Sequence, residues 1–302
     1  MTTNYSQYLA NDHFCVFLFH GVISETWHAV RNYTRKHISL DRFKEVINDL
    51  CSSGNPVSMP DIVNACRGNA ALPKKAFAIT FDDGFENNYS IAVPVLEELH
   101  VPAAFYVTTG FVENNSTSWI DQVESAVASV ESFRLDLNQP QLGAVISGVQ
   151  EKILVLDAIR DLIKNDASLD PYRFAEQICE KIGIGELETD PELDQMMEWH
   201  QVATLHKHPL FTIGGHSHSH RILEFLTQAD LEDEINRSMD MLAARLGTSV
   251  AHYSYPEGLP HCYSNRVIDC LKKRNVQCCP TAEEGVNDCG DDLFRLKRIM
   301  VV

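Results

Sequence analysis

Several absences narrow what this chain can be. No apolar run comes near the roughly 18 consecutive residues that span a bilayer, so no membrane-crossing helix is expected. Basic residues are few: 25 Lys and Arg stand against 42 Asp and Glu, a net charge of −17. A nucleic-acid partner is therefore not expected, because phosphate backbones are held by clustered cations. The acidic excess reads as a soluble, self-repelling surface. The opening MTTNYSQYLANDHF has neither the basic start nor the apolar centre of an export signal, which gives a cytoplasmic expectation. Nine cysteines form no paired framework, and no Cys-x-x-Cys occurs to suggest a structural zinc. Reduced thiols, buried as small apolar groups, are the simpler reading. No internal repeat and no low-complexity tract is present.

What is there suits a substantial core: 302 residues, 44% hydrophobic, fit one large α/β domain with insertions better than two equal domains. Strand signals at 13–20, 76–81, 103–108, 210–215, 250–255, 276–280 and 294–302 alternate with helical patterns at 40–51, 59–66, 87–99, 227–246 and 264–275. That alternation predicts βα units and a mainly parallel sheet or barrel. Between about 112 and 208 the character changes. Strand signals vanish, and helical patterns occupy 119–130, 142–163, 172–182 and 192–205. Asp170-Pro171 and Asp190-Pro191 look like helix starts. The block reads as a helical insertion into a single 1–302 domain, serving as a lid or platform or simply packing on the body.

Two short segments carry the chemistry: Thr80-Phe81-Asp82-Asp83-Gly84 and His216-Ser217-His218-Ser219-His220. Each ends an apolar run, AFAITF and PLFTIGG, that reads as a buried parallel strand. Functional side chains gather at the carboxyl ends of such strands, so the two clusters can face one another across one pocket. A catalytic ion of the zinc type takes three protein ligands and leaves a position open to water. His216 and His220 project on one side if the backbone makes a helical turn, with His218 pointing away. One carboxylate of the Asp pair completes the set and the other stays free as base, because adjacent residues at a strand end diverge. Alone, Asp-Asp-Gly is commonly a turn, and a His-rich pentapeptide is commonly a solvated loop. Their joint occurrence at two predicted strand ends points to a metal site.

Together these segments resemble the first two motifs of the polysaccharide deacetylase family, the NodB-homology group of metal-dependent carbohydrate esterases. The resemblance covers residues 13–110 and 209–302 and leaves the helical block unmatched. It implies an α/β fold, the distorted (β/α)₇ barrel of NodB type, with Asp82 as general base. It further implies Asp83, His216 and His220 as ligands of a divalent metal, Zn²⁺ foremost, with Co²⁺, Ni²⁺ or Mn²⁺ as alternatives. Ser217 is expected to support the loop by a hydrogen bond. The implied activity is hydrolytic removal of N-acetyl from an amino sugar in surface-glycan biosynthesis, whether lipopolysaccharide, O-antigen or exopolysaccharide. Without an export signal, the expected partner is an intracellular N-acetylated sugar or glycan precursor, nucleotide-linked or lipid-linked.

The later motifs depart from the family pattern. Tyr253-Ser254-Tyr255-Pro256-Glu257-Gly258 puts Ser254 where the family has an Arg that orients the base. The Asp-rich motif with its Trp is not identifiable. Phe294-Arg295-Leu296-Lys297-Arg298-Ile299 lacks the His of the family's C-terminal Leu-x-x-His, the source of the general acid. Two replacements are open. VFLFHGV at 16–22 resembles a Tyr-His segment of a branch acting on surface polysaccharides, which places His20 to orient the intermediate or protonate the leaving amine. The plainer reading is a His hydrogen-bonded in a barrel mouth. Arg298 can reach Asp82 in place of the missing Arg or lie on the surface. Tyr255 and a backbone N–H near Glu257 are candidates for holding the oxyanion or supporting the site. Trp119 and Asp121 are candidates for sugar contact, against a packing Trp and a helix-start Asp. Two other functions stay open: a metal-containing sugar-binding protein with impaired turnover, and a deformylase or amidase of the same barrel.

Overall fold

The computed structural model describes residues 3–24, 28–135 and 145–302. In chain order come β1 (Cys15–Phe19), β2 (Gly21–Ile23), β3 (His37–Ser39), α1 (Leu40–Ser53), β4 (Asn55–Pro56), α2 (Met59–Cys66) and β5 (Ala76–Phe81). A π-helical turn (Asn88–Ala92) leads into α3 (Val93–Glu98), then β6 (Ala103–Val107) and α4 (Thr109–Asn114). Next are α5 (Trp119–Ser129), β7 (Ser132–Arg134), β8 (Val145–Ser147), α6 (Val149–Asn165), α7 (Pro171–Ile182), α8 (Pro191–Asp194) and α9 (Trp199–Lys207). The chain then runs through β9 (Phe211–Gly215), α10 (Gln228–Leu246), α11 (Asn265–Lys273) and β10 (Ile299–Met300). Among the described residues no helix is long and apolar enough to cross a membrane.

Parallel pairing runs β10–β1–β5–β6–β9. From β9 the ring continues through the bridges Gly215–Tyr253 and His252–Cys278. The N–H groups of Cys279 and Thr281 then donate to the carbonyls of Leu293 and Leu296, just ahead of β10. The staves thus close on themselves as a barrel, with two of them held by single bridges rather than by full strands. Strand signals at 250–255 and 276–280 therefore mark staves too irregular to be ladders, and the closing strand shrinks from 294–302 to Ile299–Met300.

Side chains alternate across a strand, and here the alternation decides where the chemistry lies. Phe17, Phe19, Phe77, Ile79, Phe81 and Phe105 face outward and pack on Phe43, Val46 and Leu50 of α1 and on the apolar face of α10. Val16, Ala78, Ala104, Tyr106, Cys278 and Leu296 form a separate cluster filling the barrel. The register aligns Phe19 with Phe81 and Phe81 with Phe105. One residue past each strand end, the inward series continues as His20, Asp82, Thr108 and His216. The period of two thus delivers these four to the mouth.

The 112–208 block carries its own apolar centre, with Trp119, Val123, Val127, Phe133, Leu156, Ile159 and Ile178 buried together. Asp170 and Asp190 do start helices: each caps one with its carboxylate, and Pro occupies the first turn. Three expectations are corrected. The block is not purely helical, since β7 and β8 pair as an antiparallel hairpin. The helix expected at 142–163 starts at Val149, because Gly148 at φ 76° breaks the run; 142–144 lie outside the described residues. The helix expected at 192–205 splits, because residues 195–197 are drawn off to pair with the Asp-Asp-Gly turn. There Glu86 N–H donates to the Gln195 carbonyl and Met197 N–H to the Gly84 carbonyl. The parallel pair β2–β3 was not signalled, its strands being three residues each.

Phe81 stacks between Phe19 and Phe105, with ring centroids 5.3 and 5.1 Å away, and is 1% exposed. Phe81→Ala should lower the unfolding free energy by about 3–5 kcal/mol in a urea titration. A loss within ordinary surface-mutation scatter, about 0.5 kcal/mol, would mean this aromatic layer does not hold the strands.

Candidate metal centre

Asp82 and Asp83 part company at the end of β5. The Asp82 N–H still joins the sheet, donating to the Phe19 carbonyl, while Asp83 takes a left-handed conformation at φ 75°. That reversal sends the two carboxylates to different partners. Asp82 Oδ1 and Oδ2 accept a two-pronged ion pair from Arg298 at 2.8 and 2.7 Å. Asp83 Oδ1 lies 3.2 Å from His220 Nε2 and 3.5 Å from His216 Nε2. Both carboxylates are almost wholly buried.

The histidine segment does not make the helical turn expected of it. Ser217 and His220 both adopt positive φ, 64° and 56°, so the chain doubles back and the two rings meet at 5.0 Å between centroids. Ser217 supports the loop as anticipated, its hydroxyl accepting from the His220 N–H at 2.8 Å. His218 points away, its ring bonding the Thr109 hydroxyl. The loop also lies hard against the start of α4. Gly110 N–H donates to the His218 carbonyl, and a Cβ on Gly110 would stand 2.4 Å from that oxygen. Only glycine fits there.

His216 Nδ1 bonds the Ser254 carbonyl at 2.9 Å. A carbonyl only accepts, so Nδ1 carries the proton and Nε2 turns its lone pair to Asp83. One oxygen and two ring nitrogens thus lie within 4.8 Å of one another, all from buried residues. Asp83 Oδ1 is buried without a hydrogen-bond partner. The measured separations of 3.2 and 3.5 Å bracket the edge, about 3.3 Å, of a tetrahedron with metal–ligand bonds of about 2.0–2.1 Å. The donor set fits a divalent ion of the zinc type.

Charge follows the geometry. Burial pushes Asp82 upward, but the Arg298 guanidinium outweighs it and leaves the carboxyl below its ordinary value. Burial likewise opposes Asp83, yet the charge of His220 beside it holds it well below the carboxylate range. Burial lowers His220, and Asp83 more than restores it, so His220 ends raised. His20 lies in the same cleft, its Nδ1 buried without a partner, and burial drives its pKa to about 4. Burial thus favours the neutral ring, which suits the orienting role.

Arg298 is fully buried and spans the centre. Besides Asp82, it donates to the Ser254 and Thr80 hydroxyls, at 2.9 and 3.3 Å, and to the Thr281 carbonyl. The structure therefore brings it to the base from the last stave, into space that a serine at 254 leaves free. Glu257 lines the cleft in a left-handed conformation at φ 61°. Its carboxylate pairs with Lys164 of α6 at 2.6 Å, which overrides burial and lowers its pKa to about 2. Tyr255 does not reach the cleft; its hydroxyl donates to the Phe294 carbonyl and its ring stacks on Tyr263, so it supports the last stave. Trp119 and Asp121 take the packing and helix-start roles rather than sugar contact. Trp119 is 3% exposed within the block's core, and Asp121 is committed to Lys36 at 2.8 Å. The cleft itself measures about 260 Å³. Glu234 and Lys164, both long-range partners of this site, carried no local signal that the sequence could have shown.

A model of the polysaccharide deacetylase family matches residues 69–279. The chain belongs to the polysaccharide deacetylase family. Within this deacetylase-family chain, Asp82, Asp83, His216 and His220 fall inside the matched stretch, whereas His20 and Arg298 fall outside it. Over 98 residues the chain is 30% identical to the poly-β-1,6-N-acetyl-D-glucosamine N-deacetylase of Escherichia coli strain K12, covering 31% of this chain. The same figures hold for the like-named protein of Escherichia coli O157:H7. The match spans only 15% of the length of these curated relatives. Among solved structures, IcaB from Ammonifex degensii superposes with a TM-score of 0.63 at 18% identity, over 98% of this chain and 94% of its own. The Streptococcus pyogenes deacetylase PplD, in complex with acetate, gives 0.61 at 15%, over 96% and 92%. At such identities the likeness speaks for the fold, the barrel of NodB type.

With His220 raised, a proton competes with metal at this site. Zinc titrated into metal-free protein should release about one proton near neutral pH, and apparent affinity should drop about tenfold per pH unit below the raised His220 value. Calorimetry in buffers of different ionisation enthalpy reads the proton count. An affinity independent of pH would exclude His220 as ligand.

Proposed function

We propose that this chain is a metal-dependent N-deacetylase acting on an N-acetylated amino sugar of a surface polysaccharide. The observation that carries the reading is Asp82: a carboxylate kept ionised by Arg298 and 3.8 Å from His216 Nε2, yet outside the three-ligand set. A protein that only bound metal, or only bound sugar, has no use for such a base. The name of the Escherichia coli relatives favours an exopolysaccharide of N-acetylglucosamine as substrate over a lipopolysaccharide precursor.

Asp83, His216 and His220 would hold the divalent ion. When bound, it would supply Lewis acidity to a water and to the acyl carbonyl. Asp82 takes the water's proton as the amide is attacked. Arg298 and the Ser254 hydroxyl keep that carboxylate aimed at the cleft while it changes charge. The backbone N–H at Glu257 supports the developing oxyanion, and the Lys164–Glu257 pair fixes that turn. Protonated Asp82 then returns its proton to the leaving amine, with His20, at the neighbouring strand end, orienting the intermediate. Among the described residues the histidines lining this cleft are the two proposed ligands and His20.

Asp82→Asn should keep zinc binding and lower acetate release from N-acetylglucosamine oligomers by about 10²–10⁴-fold. Wild-type protein inert towards such oligomers and towards N-formyl sugars, loaded with zinc, cobalt, nickel or manganese in turn, would leave the binding-protein reading standing.

Arg298→Gln separates orientation from ligation. Loss of the guanidinium raises the Asp82 pKa, so the acid limb of kcat/KM should move to higher pH. Stability should fall by about 3–5 kcal/mol, because a buried carboxylate loses its partner. An acid limb that stays in place would assign it to another group.

A further inference from the structure

His216 and His220 are oriented by different means. The His216 ring is tied through Nδ1 to the Ser254 carbonyl, but His220 Nδ1 is buried without any partner. Its ring lies beside those of Phe111, stacked at 5.9 Å, and His216, at 5.0 Å, and neither bonds Nδ1. Metal-bound histidines ordinarily take their orientation from a hydrogen bond on the second nitrogen. For His220 that duty falls to the backbone of the loop.

The loop backbone is itself in an unusual state. Between left-handed Ser217 and left-handed His220, the N–H groups of His218 and Ser219 point into one concavity. Successive N–H groups turned this way form an anion-binding nest. The nest is filled from within the protein. Glu234, on α10 and 8% exposed, accepts the His218 N–H at 2.7 Å and the Ser219 N–H through the same Oε1. The Ser219 hydroxyl donates to both carboxylate oxygens at 3.0 Å. No Lys or Arg is paired with Glu234 among the described residues, so the loop is its counterpart. On the opposite side, the Tyr172 hydroxyl of α7 donates to the Ser219 carbonyl at 2.7 Å.

We propose that Glu234 is a positioning residue for the metal centre, its carboxylate filling the nest of the 217–219 turn and so holding His220 at ligating distance from Asp83. The proposal rests on the metal-centre reading above. Tyr172 grips the next peptide, between Ser219 and His220, from the inserted block, which makes that block one jaw of the clamp. Without the carboxylate, two buried N–H groups lose their acceptor and the left-handed residues lose the contact that pays for their conformation.

The test is zinc affinity, measured by calorimetry on the full chain, with melting temperatures recorded in chelator and in zinc. Wild type should bind, and Asp83→Ala should not. Glu234→Gln should bind zinc about 10–100-fold more weakly while its melting temperature in chelator changes little. A merely structural role would do the reverse, lowering the metal-free melting temperature and leaving affinity untouched. Tyr172→Phe and Ser219→Ala each remove one hydroxyl and should weaken zinc binding in the same direction by less. Wild type that binds no zinc defeats the metal reading and this proposal together. Wild type that binds, with Glu234→Gln equal to it, defeats the proposal alone. Should Glu234→Gln fail to fold, unchanged affinity in both hydroxyl variants overturns it.

Discussion

A carboxylate sealed away from water tends to pick up a proton, and a protonated carboxylate cannot act as a base. Everything at the mouth of this barrel depends on how Asp82 escapes that fate. Arg298 meets both its oxygens at once, and the planar fork of a guanidinium matches a carboxylate in a way that a lysine does not. The pair is not isolated. Thr80, Ser254 and the Thr281 carbonyl take up remaining donors of the arginine, so neither charge is left short of partners. A buried ion pair stabilises a fold only weakly on balance, whereas breaking one is costly. Its value here is orientation.

The second recurring device is backbone torsion. Asp83, Ser217, His220 and Glu257 are non-glycine residues in the left-handed region, and all four meet at the one cleft or its loops. Such residues persist only where surrounding contacts over-determine them. Each has its keeper: the Thr108 N–H on the Asp83 carbonyl, the Thr109 N–H on the Ser217 carbonyl, the Ser217 hydroxyl on the His220 N–H, and Lys164 on the Glu257 carboxylate. The inserted block supplies one of these keepers, Lys164, and braces the site further through Tyr172 and residues 195–197. It thus belongs to the architecture of the site as much as the staves do.

The legible parts were those set by short-range regularity. Apolar runs located β1, β5, β6 and β9, and put Asp82 and His216 at carboxyl ends of strands. The motif pair singled out Asp83, His216 and His220, the three residues that the structure gathers as a possible metal site. What escaped was long-range or torsional. A helical turn at 216–220 was the default for histidines four apart, but the positive φ of Ser217 has no signature in its residue type. Arg298 could not be told from a surface arginine, since its partner lies 216 residues away in the chain. Tyr255 sits in a motif position yet faces the wrong side of its stave. The hairpin β7–β8 is too short, at three residues a strand, to show a period.

The ring is closed by a stave whose ladder is only two residues long, and that stave bears Arg298. Until residues 293–300 dock, the nascent polypeptide exposes one flank of β1 as an unpaired edge, open to mispairing with other chains. Barrel closure and charge compensation at Asp82 therefore rest on one set of contacts between residues far apart in the chain.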